Sequence, residues 1–388
     1  MRIICGIAIE KIAIFGAGKL GSYWYNELKK DIEVTAFIDN NPQKQKDGYM
    51  GLPVYSVAEF SEHKEGVVVL ISMYNQTTAD TVTKQLEDEC GLIRGVNLLC
   101  CHAALQEIED EDFIKVFYYT CFGKELNLDN PTTLNEKMQW LKLYDRRAEY
   151  SVLADKYEVR EFVASRIGEE YLIPLYGSGE CFEDIDFGEL PEEFVLKCTH
   201  DSGSVVIFRD GKVFEKYGVE LLGENAAKNK LNDALMQNWF HFGREWAYKN
   251  VKPRIIAEKY LGKNIEDFRF YAFDGKVKFI HVDFDTAVFR KANIYTADWE
   301  YLPCSWTYLT DPEKVIEKPA QLDEMIRITE RLAEGIPHLR VDLFLVDGKV
   351  YFLETGFYHG SGFDPFVPHE YDEIFGSWLK LPAKTEEN

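Results

Sequence analysis

The chain has 388 residues, 46% of them hydrophobic and 28% charged, with 66 acidic side chains against 44 basic ones and a formal net charge of −22. That length exceeds an average domain of about 150 residues and the composition supports a packed core, so neither a lone small module nor a disordered chain fits. An acidic surplus of this size repels phosphodiester backbones and anionic lipid, which sets nucleic acid and membrane surfaces aside as expected partners.

From Lys11 to about Cys101, strand and helix alternate. Lys11–Phe15 reads as a short apolar strand, Ser22–Lys30 as a helix, and Glu33–Ile38 as a second strand ending at Asp39. Gly66–Ser72 has the continuous apolar character of a buried strand; a helix over Thr77–Glu89 and a strand at Val96–Leu99 follow. Strands separated by helices imply a parallel sheet, here a small Rossmann-like unit over residues 1–105. Between its first strand and helix lies Gly16-Ala17-Gly18-Lys19-Leu20-Gly21. In such a GxGxxG the first glycine makes a tight turn, the second admits a phosphate to the backbone, and the third lets helix and strand pack closely. The pattern predicts a nucleotide held by Gly16, Gly18 and Gly21, with Asp39 accepting from ribose hydroxyls. The unit is too short for a full dinucleotide fold, so a nucleotide sugar suits it as well as NAD(P). The plainer reading is a structural turn in which Asp39 caps Asn40-Asn41-Pro42. The unit also resembles small Rossmann modules fused to bacterial surface-sugar enzymes.

An acidic stretch at Glu107, Glu109, Asp110, Glu111 and Asp112 marks the expected boundary, with a second domain over residues 113–382. Here Asp155-Lys156-Tyr157 and Val159–Val163 read as one helix with a lysine in its first turn, and Tyr171–Tyr176 as a strand. Phe194–Cys198 is an apolar strand containing Lys197, and a lysine in such a strand requires an anionic partner. Thr199-His200-Asp201-Ser202-Gly203-Ser204 is a small polar loop, and Val205–Phe208 returns as a strand; together these form a hairpin lid suited to phosphates. Arg254–Leu261 is a strand carrying Glu258. Asp267–Ile280 is a hairpin with an Asp-Gly turn, and Pro319–Ile336 is an amphipathic helix. Finally, His338–Leu345 and Val350–Glu354 flank a turn near Gly348, which sets Asp342 opposite Glu354. Like charges in that position destabilise a sheet unless a cation lies between them, and Mg²⁺ is the expected one.

The eight cysteines form no CxxC pair and read as reduced, buried thiols. Cys100-Cys101-His102 has metal-binding residue types, but adjacent cysteines rarely share an ion and no second cluster accompanies them. No apolar run reaches the ~18 residues of a membrane span and the first residues lack a signal-peptide pattern, so a cytoplasmic protein is expected.

The ordered phrases of the second domain resemble the ATP-grasp superfamily and, more narrowly, the TupA-like ATP-grasp family of teichuronopeptide and surface-polysaccharide biosynthesis. They are Asn130–Leu143 with its Asn135-Glu136-Lys137, the Asp155-Lys156-Tyr157 and Arg160 segment, Phe194–Gly203, Arg340-Val341-Asp342, Ser361-Gly362-Phe363 and Gly376–Pro382. The resemblance implies a mixed α/β and α+β chain, a small parallel sheet followed by an ATP-grasp domain. It implies an ATP- and Mg²⁺-dependent carboxylate–amine ligase that forms an amide through an acyl phosphate on a small-molecule or glycan precursor. By the same resemblance, Lys156 and Lys197 neutralise the α and β phosphates, and His200, Ser202 and Gly203 close over them. Glu258 with the backbone of Lys259, Tyr260 and Leu261 holds adenine, Arg269 reaches the γ or acyl phosphate, and Asp342 and Glu354 hold Mg²⁺.

Plainer readings stand beside these. Lys156 is equally a surface lysine, Arg269 a partner of Asp267 or Asp283, His200 an exposed loop residue, and Trp140, Trp239, Trp246 and Trp378 core packing. The phrase Asn135-Glu136-Lys137 has no role readable from one sequence. Family members usually read Glu-x-Thr-Phe where this chain has Glu354-Thr355-Gly356-Phe357, which leaves Thr355 one place early for a metal ligand. Two other functions compete: a nucleotide-sugar-binding glycosyltransferase or sugar-modifying enzyme, and a non-catalytic assembly factor with a degraded metal site.

Overall fold

The computed structural model describes residues 2–4, 7–73, 76–100, 109–216, 221–263, 265–284 and 290–385; Cys101, His102 and Glu107 lie outside the described residues. The chain divides into two compact units, Met1–Leu126 and Asn127–Asn388. The division falls after the helix Asp110–Phe122, later than the acidic stretch near residue 110. That helix buries Phe113, Ile114, Phe117 and Tyr118 and packs with the helix Lys19–Leu28, which places it in the first unit. No helix among the described residues is long and apolar enough to cross a membrane.

The first unit is built on a five-stranded sheet in the order Val54–Tyr55, Glu33–Ile38, Lys11–Phe15, Val68–Ile71, Leu98–Cys100. Every neighbouring pair is parallel. The chain winds outward from Lys11–Phe15 in one direction and then the other, so the crevice at the ends of Lys11–Phe15 and Val68–Ile71 is a topological switch point. Gly16 holds φ at 105°, and a Cβ at Gly21 would collide with the Gly16 carbonyl oxygen, so both glycines are required by the close passage of helix over strand.

The second unit carries two six-stranded antiparallel sheets. The first runs Leu221–Leu222, Lys212–Glu215, Val205–Arg209, Phe194–Cys198, Ile255–Lys259, Leu175–Gly179, with the helix Glu224–Leu235 packed on it through Ala227 and Leu231. The second runs Tyr301–Leu302, Lys291–Thr296, Lys276–Phe284, Glu266–Phe273, His338–Val346, Lys349–Gly356. The helix Leu322–Leu332 covers it, burying Leu322, Met325, Ile328 and Leu332 at helical spacing, each contributing about 1.5–3 kcal/mol. Three hairpins turn on Asp-Gly pairs, at 210–211, 274–275 and 347–348, with all six residues at positive φ as a tight two-residue turn demands.

Two local elements differ from the sequence expectation. The helix begins at Val159, not at Lys156: the Asp155 carboxylate accepts from the Tyr157 amide at 2.8 Å and closes a turn after Glu149–Ala154, which leaves Lys156 in that turn. Glu169–Tyr171 is a 3₁₀ turn and the strand starts only at Leu175, after Pro174, which lacks a ladder donor. Of the tryptophans, Trp140 is buried in the core, Trp246 and Trp378 pack against it half-buried, and half-buried Trp239 packs on Phe242.

The phrase Asn135-Glu136-Lys137 acquires a structural role. It opens the helix Leu134–Tyr144, where Glu136 and Thr133 form a capping box, and the Asn135 amide donates to Asp372 at 2.9 Å. Lys137 donates to the Gly376 and Leu379 carbonyls at 2.8 and 2.7 Å, tying down the end of the helix Glu370–Trp378. The two helices meet at Gly376, where a Cβ would overlap the Thr132 carbonyl and lie 2.7 Å from the Leu134 amide. Gly376→Ala is therefore expected to destabilise the protein by about 1–3 kcal/mol in urea unfolding, whereas an unchanged midpoint would show that this contact has slack.

Candidate active site

A cavity of about 730 Å³ in the second unit is lined by residues of both six-stranded sheets, a volume in the range of small-molecule and cofactor sites. Lys156, Lys197, Ser202, Gly203, Glu258, Lys259, Tyr260, Leu261, Arg269, Asp342 and Glu354 all reach it.

Lys197 is 4% exposed and has the anionic partner its strand requires: its Nζ lies 2.7 Å from Glu258 on the neighbouring strand Ile255–Lys259. The other Glu258 oxygen accepts from Arg160 at 3.2 Å, and Arg160 also donates to the Ile173 carbonyl at 2.9 Å. Glu258, 5% exposed, is thus clamped between two cations. Lys156 docks beneath the lid loop, donating to the Asp201 carbonyl at 2.6 Å and pairing with Glu354 at 3.2 Å. Burial opposes its charge, but Glu354 and Asp201 outweigh burial and hold its pKa above the ordinary lysine value.

His200 departs from the expected lid role. Its ring is buried on the other side of the loop, with Nε2 3.0 Å from the Ala234 carbonyl, so it fastens the loop to the helix Glu224–Leu235 instead of facing the cavity. At the other end, Arg209 donates to the Tyr260 hydroxyl at 2.7 Å, and the Lys259 amide is given to the Pro174 carbonyl at 2.9 Å. Ile173, Val195 and Ile207 supply an apolar wall beside Tyr260 and Leu261.

Arg269 sits between three carboxylates. It donates to Asp283 at 2.6 Å, and lies 3.6 Å from Asp267 and 3.6 Å from Asp342. Arg269 thus makes the pairing with Asp267 and Asp283 that the plainer reading expects, and it also lines the cavity.

Asp342 and Glu354 are cross-strand partners, by way of a bulge. The tight turn at Asp347-Gly348 pairs Val346 with Lys349 and Leu343 with Phe352; Leu353 is then an extra residue, and Glu354 faces Asp342. The cation across the pair is Arg340, which the sequence expectation leaves without a role although it lies two residues before Asp342 on the same strand face. Its Nε and Nη2 donate to the two Asp342 oxygens at 2.6 and 2.8 Å, and Nη2 also lies 3.0 Å from Glu354. Burial raises the Asp342 pKa to about 6 against the pull of Arg340 and Arg269. Burial also works on Glu354, but Lys156 and Arg340 prevail and bring it to about 2. Thr355 faces elsewhere, donating to the Leu153 carbonyl at 2.6 Å, and is no metal contributor. Lys216, beyond the strand Lys212–Glu215, lines the cavity with Arg209, Lys263 and Lys314, basic residues that the sequence does not single out.

The donor set fits Mg²⁺ in one way. Among the described residues no group of three or more His, Cys, Asp or Glu side chains forms a metal cage. Two adjacent carboxylates at a cavity rich in lysine and arginine suit an ion that keeps most of its shell as phosphate oxygens and water.

In the first unit, the Asp39 carboxylate is already engaged. It accepts from the Ala17 amide at 2.9 Å, from Lys44 at 3.0 Å and from the Asn41 amide at 2.9 Å. It caps the glycine loop and the following turn, the plainer of the two readings. Gly18 alone of the three glycines has nothing within 4 Å of where a Cβ would stand, so packing does not demand it. A cavity of about 370 Å³ at the strand ends is lined by Phe15, Asp39, Asn40, Met73, Thr81 and Gln85, among others.

Lys197→Met leaves Glu258 buried with Arg160 alone, and a loss of about 3 kcal/mol is expected in urea unfolding. Adding Glu258→Gln should restore part of it; strictly additive losses would mean the two side chains do not interact.

Residues 136–380 match the family model of TupA-like ATP-grasp proteins, and residues 8–92 match that of C2185-like N-terminal domains. A search of curated proteins returned no match. Similar solved structures include a D-alanine–D-alanine ligase from Bacillus anthracis, at 16% identity and TM-score 0.29 over 90% of this chain and 86% of that one. Others are an N5-carboxyaminoimidazole synthetase from Staphylococcus aureus (13%, TM-score 0.33, 97% and 80%) and an L-amino acid ligase from Bacillus licheniformis (16%, TM-score 0.36, 98% and 78%). At these TM-scores the assignment rests on the family match, which spans more than half of the chain. The chain belongs to the TupA-like ATP-grasp family, with a C2185-like domain before its ATP-grasp domain.

Proposed function

We propose that the second unit is an ATP- and Mg²⁺-dependent carboxylate–amine ligase acting through an acyl phosphate, with a uronic-acid-containing or other surface-polysaccharide precursor as substrate. The observation that carries the reaction class is the convergence of Lys156, Lys197 and Arg269 with two cross-strand carboxylates, themselves paired with Arg340, on one cavity of about 730 Å³. The substrate class rests on the family resemblance.

In this reading the apolar wall at Ile173, Val195 and Ile207 takes the adenine ring beside Tyr260 and Leu261. Lys156 and Lys197 exchange part of their pairing with Glu354 and Glu258 for phosphate oxygens, which keeps each charge compensated in a site poor in water. A carboxylate oxygen of the acceptor attacks the γ-phosphorus and ADP leaves; an amine then attacks the acyl carbon and phosphate leaves, forming the amide. Mg²⁺, held by Asp342 and Glu354, would neutralise charge on the transferred phosphoryl group. Phosphoryl transfer of this kind needs positioning more than covalent help. The loop Asp201–Gly203 excludes water from the acyl phosphate. Two lysines and two carboxylates assembled on one cavity are hard to reconcile with a non-catalytic assembly factor.

The test is incubation of the full chain with ATP, Mg²⁺, candidate uronic or amino acids and hydroxylamine. Hydroxamate and ADP should appear together, and Lys156→Met should weaken ATP binding at least about tenfold, worth 1.4 kcal/mol. Absence of ATP binding, or an affinity indifferent to Lys156→Met, would contradict the reading.

A further inference from the structure

We propose that Gly356 is a positioning residue: by carrying no side chain it lets Arg340 lie across Asp342 and Glu354 as the site's resident cation, so that a divalent ion enters only together with the nucleotide. This role rests on the ligase reading of the cavity.

Gly356 is the cross-strand partner of Arg340 in the hairpin His338–Val346 and Lys349–Gly356. A Cβ there would lie 3.0 Å from Arg340 Cζ, 3.2 Å from Nε and 3.3 Å from Nη2, so the guanidinium is the group nearest to it. The backbone does not require glycine, because Gly356 is absent from the positive-φ positions of the chain. The required feature is space, and the guanidinium fills it. Nε and Nη2 also make the contacts to the carboxylates, so a Cβ at 356 forces the group that neutralises the pair to give by a few tenths of an ångström, and a larger side chain crowds it further.

That neutralisation is complete within the chain. Arg340 meets both Asp342 oxygens and one Glu354 oxygen, and Lys156 meets the other at 3.2 Å. A free divalent ion approaching the pair therefore encounters carboxylates already matched by fixed positive charge, with Arg269 a further 3.6 Å from Asp342. A triphosphate, with about four negative charges, reverses that balance by giving the arginine and lysines other partners and giving the ion further oxygens. The order of binding follows: ion with nucleotide, not ion first.

The probe is Mn²⁺ alone, titrated into the full-length protein without nucleotide and read by the loss of its free-ion electron paramagnetic resonance signal. Wild type should bind Mn²⁺ weakly, and Gly356→Thr should bind it at least about fivefold more tightly, with Gly356→Ala between them. Arg340→Lys keeps the charge but loses the two-pronged contact, so it should also bind Mn²⁺ more tightly; it serves if the threonine variant does not fold. Equal Mn²⁺ affinity in wild type and the folded variants overturns the proposal, as does tight Mn²⁺ binding by wild type. ATP binding in the same preparations, measured in the presence of Mg²⁺, separates the two claims: its absence removes the ligase reading, whereas unchanged Mn²⁺ affinity beside intact ATP binding removes only the role of Gly356.

Discussion

Two carboxylates face each other across one hairpin, and the second unit is arranged around that like-charge pair. Asp342 and Glu354 would repel each other at neighbouring positions of a sheet, and Asp342 is only 2% exposed. The protein keeps them there with cations from three separate places: Arg340 on the same hairpin, Lys156 in a turn before the helix Val159–Ile167, and Arg269 on the strand Glu266–Phe273. Two of these cations in turn meet another anion or carbonyl, Arg269 through Asp283 and Lys156 through the Asp201 carbonyl. The lid loop, the helix turn and the sheet are thereby coupled through charge compensation. A polyanionic ligand entering the cavity would engage all of them together.

The hairpin itself is held in place by the chain that follows it. Beyond Gly356, the segment Tyr358–Phe363 is fastened to the helix Leu134–Tyr144. Gln139 donates to the Gly362 carbonyl at 2.6 Å, and the fully buried Lys142 donates to the Ser361 and Gly243 carbonyls at 2.5 and 2.7 Å. A buried lysine is tolerated because carbonyl oxygens surround its ammonium group. The helix whose opening phrase has no role readable from sequence is thus the rack on which the segment 361–379 is hung. Its contribution to the site is rigidity supplied from outside it, the condition for placing several charges to within a fraction of an ångström.

Much of the fold is legible in the sequence because its signals are local. Asp-Gly pairs announce the hairpins at 274 and 347, alternation marks the strands, and an apolar strand with a lysine inside it demands the partner found in Glu258. The facing of Asp342 and Glu354 is also legible, but for an incomplete reason. Symmetry about the turn puts the centre at Gly348, whereas the turn lies at Asp347-Gly348 and the extra residue Leu353 makes up the difference. A bulge leaves little trace in spacing. The choice of partner is not legible. Asp39 looks as suitable for a ribose as for the Ala17 amide, His200 as suitable for a phosphate as for the Ala234 carbonyl, and Arg340 as ordinary as any arginine in a strand until its register against Gly356 is seen. The domain boundary differs for a similar reason: charge marks a solvated helix face, while Phe113, Ile114 and Phe117 on its other face assign that helix to the first unit.

Where the nucleotide lies decides whether the charge-compensated pair is the heart of the site. A crystal structure of the full chain with Mg²⁺ and a non-hydrolysable ATP analogue is the most direct measurement. The triphosphate is expected between Lys156, Lys197 and the Asp342–Glu354 edge, with adenine against Ile173 and Val195 and the Arg340 guanidinium moved off at least one carboxylate. A nucleotide found instead at the glycine loop of the first unit, with the second cavity empty and Arg340 still across both carboxylates, would contradict it.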